Sequence, residues 1–106
     1  MPKYLIEVSY TAEGVKGLLK DGGSKRKQVA EQALVSAGAK LDAFYFAFGG
    51  ADAYVIVDAP DHESILAASL TINSSGAVSF RTIVLLSPEE LDKAVKKGVT
   101  YRAPGS

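Results

Sequence analysis

The sequence predicts a single α+β domain of ferredoxin-like β-α-β-β-α-β order, and three observations predict it. First, FYFAFGGADAYVIVDAP, Phe44–Pro60, sets two apolar, β-branched and aromatic runs around a Gly-Gly-Ala-Asp break, which is the pattern of a β-hairpin. Second, a helix-period stretch lies on each side of that hairpin. Third, an alternating segment opens the chain and another closes the pattern near residue 86. Split βαβ order puts the first and third strands in the centre of an antiparallel sheet, the fourth beside the first and the second beside the third. Both main helices then cover one sheet face and leave the other bare.

Each element has its own reason. Tyr4–Tyr10 alternates, with Tyr4, Ile6, Val8 and Tyr10 on one face and Leu5, Glu7 and Ser9 on the other. Thr11 caps a short helical turn carrying Val15, Leu18 and Leu19, and Asp21-Gly22-Gly23 breaks it. Ser24 is the expected cap of the next helix, Lys25–Ala37, whose stripe is Val29, Ala30, Ala33, Leu34 and Ala37; Gly38 follows in the left-handed position. Hairpin strands are expected at Leu41–Phe48 and Asp52–Ala59. Asp61 caps a helix with Ile65, Leu66, Leu70 and Ile72, ended by Asn73-Ser74-Ser75-Gly76. Val78–Leu86 is the last strand. Ser87-Pro88-Glu89-Glu90 is a capping box with proline at the first helical position, opening a short helix to Lys97. Residues 1–98 thus read as one domain, and 99–106 as a tail that is loose or docks on a neighbour.

Bulk properties narrow the function classes. A chain of 106 residues forms one core, and 47% hydrophobic with 23% charged residues is a soluble composition. Twelve basic side chains balance twelve acidic ones, so the basic excess of a nucleic-acid binder is missing. The longest apolar stretch is broken by Gly49, Gly50 and Asp52 and is too short for a bilayer, so no membrane partner is expected. MPKYLIEVSY has no leader-like apolar core, and a cytoplasmic protein is expected. No cysteine and a single histidine, His62, leave no thiolate or His-cluster metal site, and no cofactor is expected.

Side chains on the sheet predict self-association. The helix-facing set is Ile6, Val8, Val55, Val57, Phe80 and Val84; the bare set is Leu5, Glu7, Tyr54, Ile56, Asp58, Arg81, Ile83 and Leu85. The second strand adds either Tyr45 and Ala47 or Phe44, Phe46 and Phe48 to the bare face. So apolar a surface calls for a second copy packed sheet to sheet, as a homodimer or a larger closed oligomer.

Six residues are candidates for ligand binding. Glu7 and Arg81 fall on adjacent strands of the bare face, as a structural ion pair or an anchor for a polar ligand. Tyr45 and Tyr54 suit a flat apolar or aromatic ligand. Asp52 fixes the hairpin turn or accepts a proton from a ligand. His62 is a solvated first-turn residue, a general base or a haem ligand. Gly49-Gly50 and Gly22-Gly23 match neither phosphate-loop fingerprint and are read as turns. The Lys16–Lys27 cluster is interleaved with acids and reads as a solvated face. A small-molecule-binding or structural homo-oligomer, with a pocket between sheet and helices, fits this scarcity of catalytic groups. The alternative is a cofactor-independent monooxygenase or isomerase using Tyr45, Tyr54 and Asp52 or His62.

Three blocks, PKYLIEVSYTAEGVKGLL, FYFAFGGADAYVIVDAPD and SSGAVSFRTIVLLSPEE, together resemble the GYD-domain family of small bacterial proteins over about residues 2–90. That resemblance implies a dimeric α/β barrel, a superfamily of cofactor-independent monooxygenases, haem-degrading enzymes and ligand sensors. It attaches no single reaction. The family's Gly-x-Tyr-Asp element falls on Gly49-Gly50-Ala51-Asp52, with Ala51 where the tyrosine stands.

Overall fold

Strand β1 (Lys3–Tyr10) lies in the middle of the sheet because it pairs on both sides, in register throughout. A computed structural model describes all residues, Met1–Ser106. The remaining elements are α1 (Ala12–Asp21), α2 (Gly23–Ser36), β2 (Lys40–Phe46), β3 (Ala53–Asp58), α3 (His62–Asn73), β4 (Val78–Leu85) and α4 (Pro88–Lys96). Every pairing is antiparallel and the strand order is β2-β3-β1-β4. This is the four-stranded α+β sandwich that the hairpin and its flanking helices predict.

The core forms where alternation meets the helices. Tyr4, Ile6 and Val8 of β1 and Ala53, Val55 and Val57 of β3 are buried, with Leu34 of α2 and Ile65 of α3 closing over them. Fully burying a side chain of this size contributes about 1.5–3 kcal/mol. Phe44 and Phe80 pack on the same cluster from the outer strands. Val84 shares their face but is half exposed, because it lies at the far end of β4 beside the start of α3.

Caps fix most of the ends. Thr11 Oγ1 accepts from Gly14 N at 3.2 Å and Asp61 Oδ1 from Ser64 N at 2.8 Å. Ser87 and Glu90 exchange both bonds of the capping box, at 3.1 and 3.0 Å. Gly38, at φ 82°, turns the chain out of α2. One expectation is corrected here. Ser24 does not cap α2, which already begins at Gly23; Gly22, at φ 80°, ends α1 and starts α2 at once. Glycine takes that positive φ without steric cost, and the two helices abut here with this one residue between them.

The face occupied by β2 is decided by a β-bulge. The register slips between Leu41, opposite Val57, and Ala43, opposite Ile56, so Asp42 is the extra residue. Phe44 then lies opposite Val55 on the helix side, and Tyr45 lies opposite Tyr54 on the bare side. Lys3 holds the bulge with ion pairs of 2.8 Å to Asp42 and 2.9 Å to Asp58. Strand β2 stops at Phe46 rather than Phe48, whose ring is wholly exposed.

Candidate functional site

Cross-strand register assembles four of the six candidates into one row. Tyr45 is opposite Tyr54, Tyr54 is opposite Glu7, and Glu7 is opposite Arg81, so Tyr45–Tyr54–Glu7–Arg81 crosses the whole bare face in strand order β2-β3-β1-β4. The next row towards the strand β1 N-terminus is apolar: Ala43, Ile56, Leu5 and Ile83. On the other side Ser9 faces Ser79. Glu7, Ser9, Gly50, Ala51, Tyr54, Ser79 and Arg81 line an open groove of about 460 Å³. Tyr45 stands outside it, at the sheet edge.

Electrostatics leave this row available. The Arg81 guanidinium is 3.7 Å from Glu7 Oε2 and four-fifths exposed. An exposed pair of this kind contributes about 0–1 kcal/mol, so it does not lock either partner. A ligand carrying both a cationic and an anionic group could replace each with its own.

A second space lies between the sheet and the helices. It measures about 80 Å³ and is lined by Ile6, Val8 and Tyr10 of β1, Val29, Ala30 and Ala33 of α2, Ile72 of α3, and the rings of Phe44 and Phe80, among others. Arg26 is the single charged residue on its wall, and the Arg26 guanidinium also lies 3.7 Å from Asp21. Apolar hollows of this kind stay dry and accept apolar guests. Sequence reasoning named Tyr10 among tyrosines able to line a pocket, but missed Arg26, Phe44 and Phe80 as lining residues. For Arg26 the signal was present: it is three and four residues before Val29 and Ala30, on the edge of the apolar stripe.

Asp52 and His62 are held elsewhere. Asp52 Oδ2 accepts from Tyr10 N at 2.8 Å, and the Asp52 backbone bonds Val8 O and Ala47 N, each at 2.8 Å, so this residue ties the hairpin to the end of β1. His62 Nδ1 is 2.6 Å from the hydroxyl of Tyr4, which is buried at the other end of β1. Burial, with the carboxylates of Asp61 and Glu63 nearby, raises the pKa of that phenol, so it stays protonated where it bonds the ring. Neither residue reaches the row or the hollow. No cluster of three His, Cys, Asp or Glu residues suitable for a metal ion is present.

Residues 4–95, nearly all of the sheet and its helices, match the family model described as GYD domain. The chain belongs to the GYD-domain family. A search of curated proteins finds no match. Ala51, which follows the two hairpin glycines, lines the groove of the bare face. A Cβ placed on neighbouring Gly50 would stand 3.9 Å from the Tyr54 hydroxyl, so a phenol from β3 already occupies the vicinity. No helix of the protein is long and apolar enough to cross a membrane.

Proposed function

We propose that this GYD-domain protein is a homo-oligomeric small-molecule-binding module: it holds a small apolar or aromatic molecule in the hollow between sheet and helices, and two copies meet through their bare sheet faces. The observation that carries the ligand reading is the hollow itself, apolar on every wall but one and provided with a single guanidinium. At about 80 Å³ it is smaller than a cavity that encloses benzene, so it suits a short branched chain or a ring that enters in part, and Arg26 favours a guest with a carboxylate. Methyl-detected NMR titration with toluene and with benzoate tests this. Saturable shifts at Ala30, Ala33 and Ile72, lost in Ala33→Leu, are expected. Shifts that never saturate, or that persist in Ala33→Leu, would remove the hollow from consideration.

Self-association is supported by the rows of the bare face. Leu5, Ile56 and Ile83 form an apolar band beside the polar row, with no element of the chain over them. A facing copy would bury that band and turn the open groove at Glu7 and Arg81 into a cleft. Proton-transfer chemistry has less support. None of Glu7, Tyr45, Asp52, Tyr54 and His62 lines the hollow, whose only titratable groups are Tyr10 and Arg26.

A further inference from the structure

Helix α4 is well capped and amphipathic, yet nothing in its own chain packs along it. Leu91 and Val95, one turn apart, are both more than half exposed, and α4 buries no residue at all. Val99 and Tyr101 continue the apolar series into the tail, equally exposed. The radius of gyration is 17.0 Å and the long axis 57 Å, against about 13 Å for the radius of a compact domain of this length. Nine residues form a helix too short to persist alone in water, so its apolar stripe needs a surface.

A matching surface exists on the helix side of the sheet. Leu66 and Leu70 of α3 and Val84 of β4 border an open groove of about 420 Å³, with Tyr4 and His62 at one end and Asn73 at the other. Leu66 and Leu70 are also one turn apart and more than half exposed. Ser69 Oγ, the one solvent-shielded side-chain polar atom without a hydrogen-bond partner, lines the same groove. Charge sets the direction. Asp61 and Glu63 stand at the start of α3, close enough to act on the Tyr4 phenol. The last turn of α4 is basic, with Lys93 and Lys96, and Lys97 follows. Antiparallel packing puts those lysines beside the two acids and opposes the helix dipoles.

We infer that α4 of one copy lies antiparallel to α3 of a second copy, in the groove between α3 and β4, with Val95 against Leu66 and Leu91 against Leu70. Each chain offers one arm and one groove, so a two-fold exchange fills both and closes without leaving either exposed. The exchange uses the side of the sheet opposite the bare face and does not depend on the sheets meeting.

The absence of cysteine makes the test direct. Leu70→Cys and Leu91→Cys chains are prepared separately, mixed, equilibrated and oxidised; both positions are exposed, so neither change disturbs the core. Arm exchange predicts a mixed disulfide between the two chains, about tenfold above the yield with Leu19→Cys replacing Leu70→Cys, because held ends have a high effective concentration. A mixed yield equal to that control would overturn the inference. So would an oxidised double variant, Leu70→Cys with Leu91→Cys, that runs as a single chain closed on itself. Repeating the mixture in an Ile56→Glu background separates this interface from the sheet contact: the mixed disulfide is expected to survive there, and its loss would mean that the arm has no seat of its own.

Discussion

Two glycines three residues apart in α1 have opposite meanings. A Cβ on Gly14 would lie 1.9 Å from the carbonyl oxygen of Ala77, where α1 crosses the start of β4, whereas one on Gly17 would meet nothing within 4 Å. Chemical denaturation should therefore show Gly14→Ala destabilised by about 2 kcal/mol or more, since the clash is with backbone that cannot turn aside. Gly17→Ala should gain about 0.5–1 kcal/mol from helix propensity. Equal effects of the two would mean that α1 does not dock as described. Asp61 is a second such residue. Hydrogen bonds from the Ser64 hydroxyl and then from its amide hold its carboxyl below the usual value. A depressed folded pKa means stability that is present above the unfolded value and lost as pH falls through the folded one. Unfolding of Asp61→Asn should thus depend less on pH below about 4 than that of the parent. Asp61→Ala should lower the midpoint of chemical denaturation at neutral pH, because the amide of Ser64 loses its cap.

At the scale of elements, local chemistry was legible and tertiary consequences were not. The caps at Thr11, Asp61 and Ser87 can be read directly because each is a side chain bonding an amide three residues on. Gly22 could not be read as a shared cap, since Ser24 offers the same local signal two residues later and only packing of α1 against α2 decides between them. Strand β2 is apolar on both faces, and the residue that settles its orientation is Asp42, an insertion stabilised by Lys3 from a distant strand. No local pattern announces that. Helix α4 carries the element-scale prediction. Ser87→Ala removes one bond of its capping box, which costs about 1 kcal/mol. Amide hydrogen exchange should quicken at Leu91–Val95 and leave β1 and β3 unchanged, because α4 is not part of the core.

Across the whole molecule, a sheet with one covered and one uncovered face organises the account. The candidate row was legible in part: Glu7 and Arg81 can be assigned to adjacent strands from alternation, but their alignment with Tyr54 and Tyr45 depends on register and on the bulge. A pocket between sheet and helices was an expectation of the sequence, but most of its walls were not legible, because they are ordinary core residues and the space depends on how far α2 and α3 stand from the sheet. The uncovered face puts Leu5, Ile56 and Ile83 in a band that water opposes. Sedimentation equilibrium at micromolar concentration, on the parent chain and on Ile56→Glu, measures this most directly. With the arm exchange present in both chains, the account predicts more than twice the chain mass for the parent and about twice the chain mass, with an unchanged circular dichroism spectrum, for Ile56→Glu. A parent chain that sediments as a single copy would contradict it.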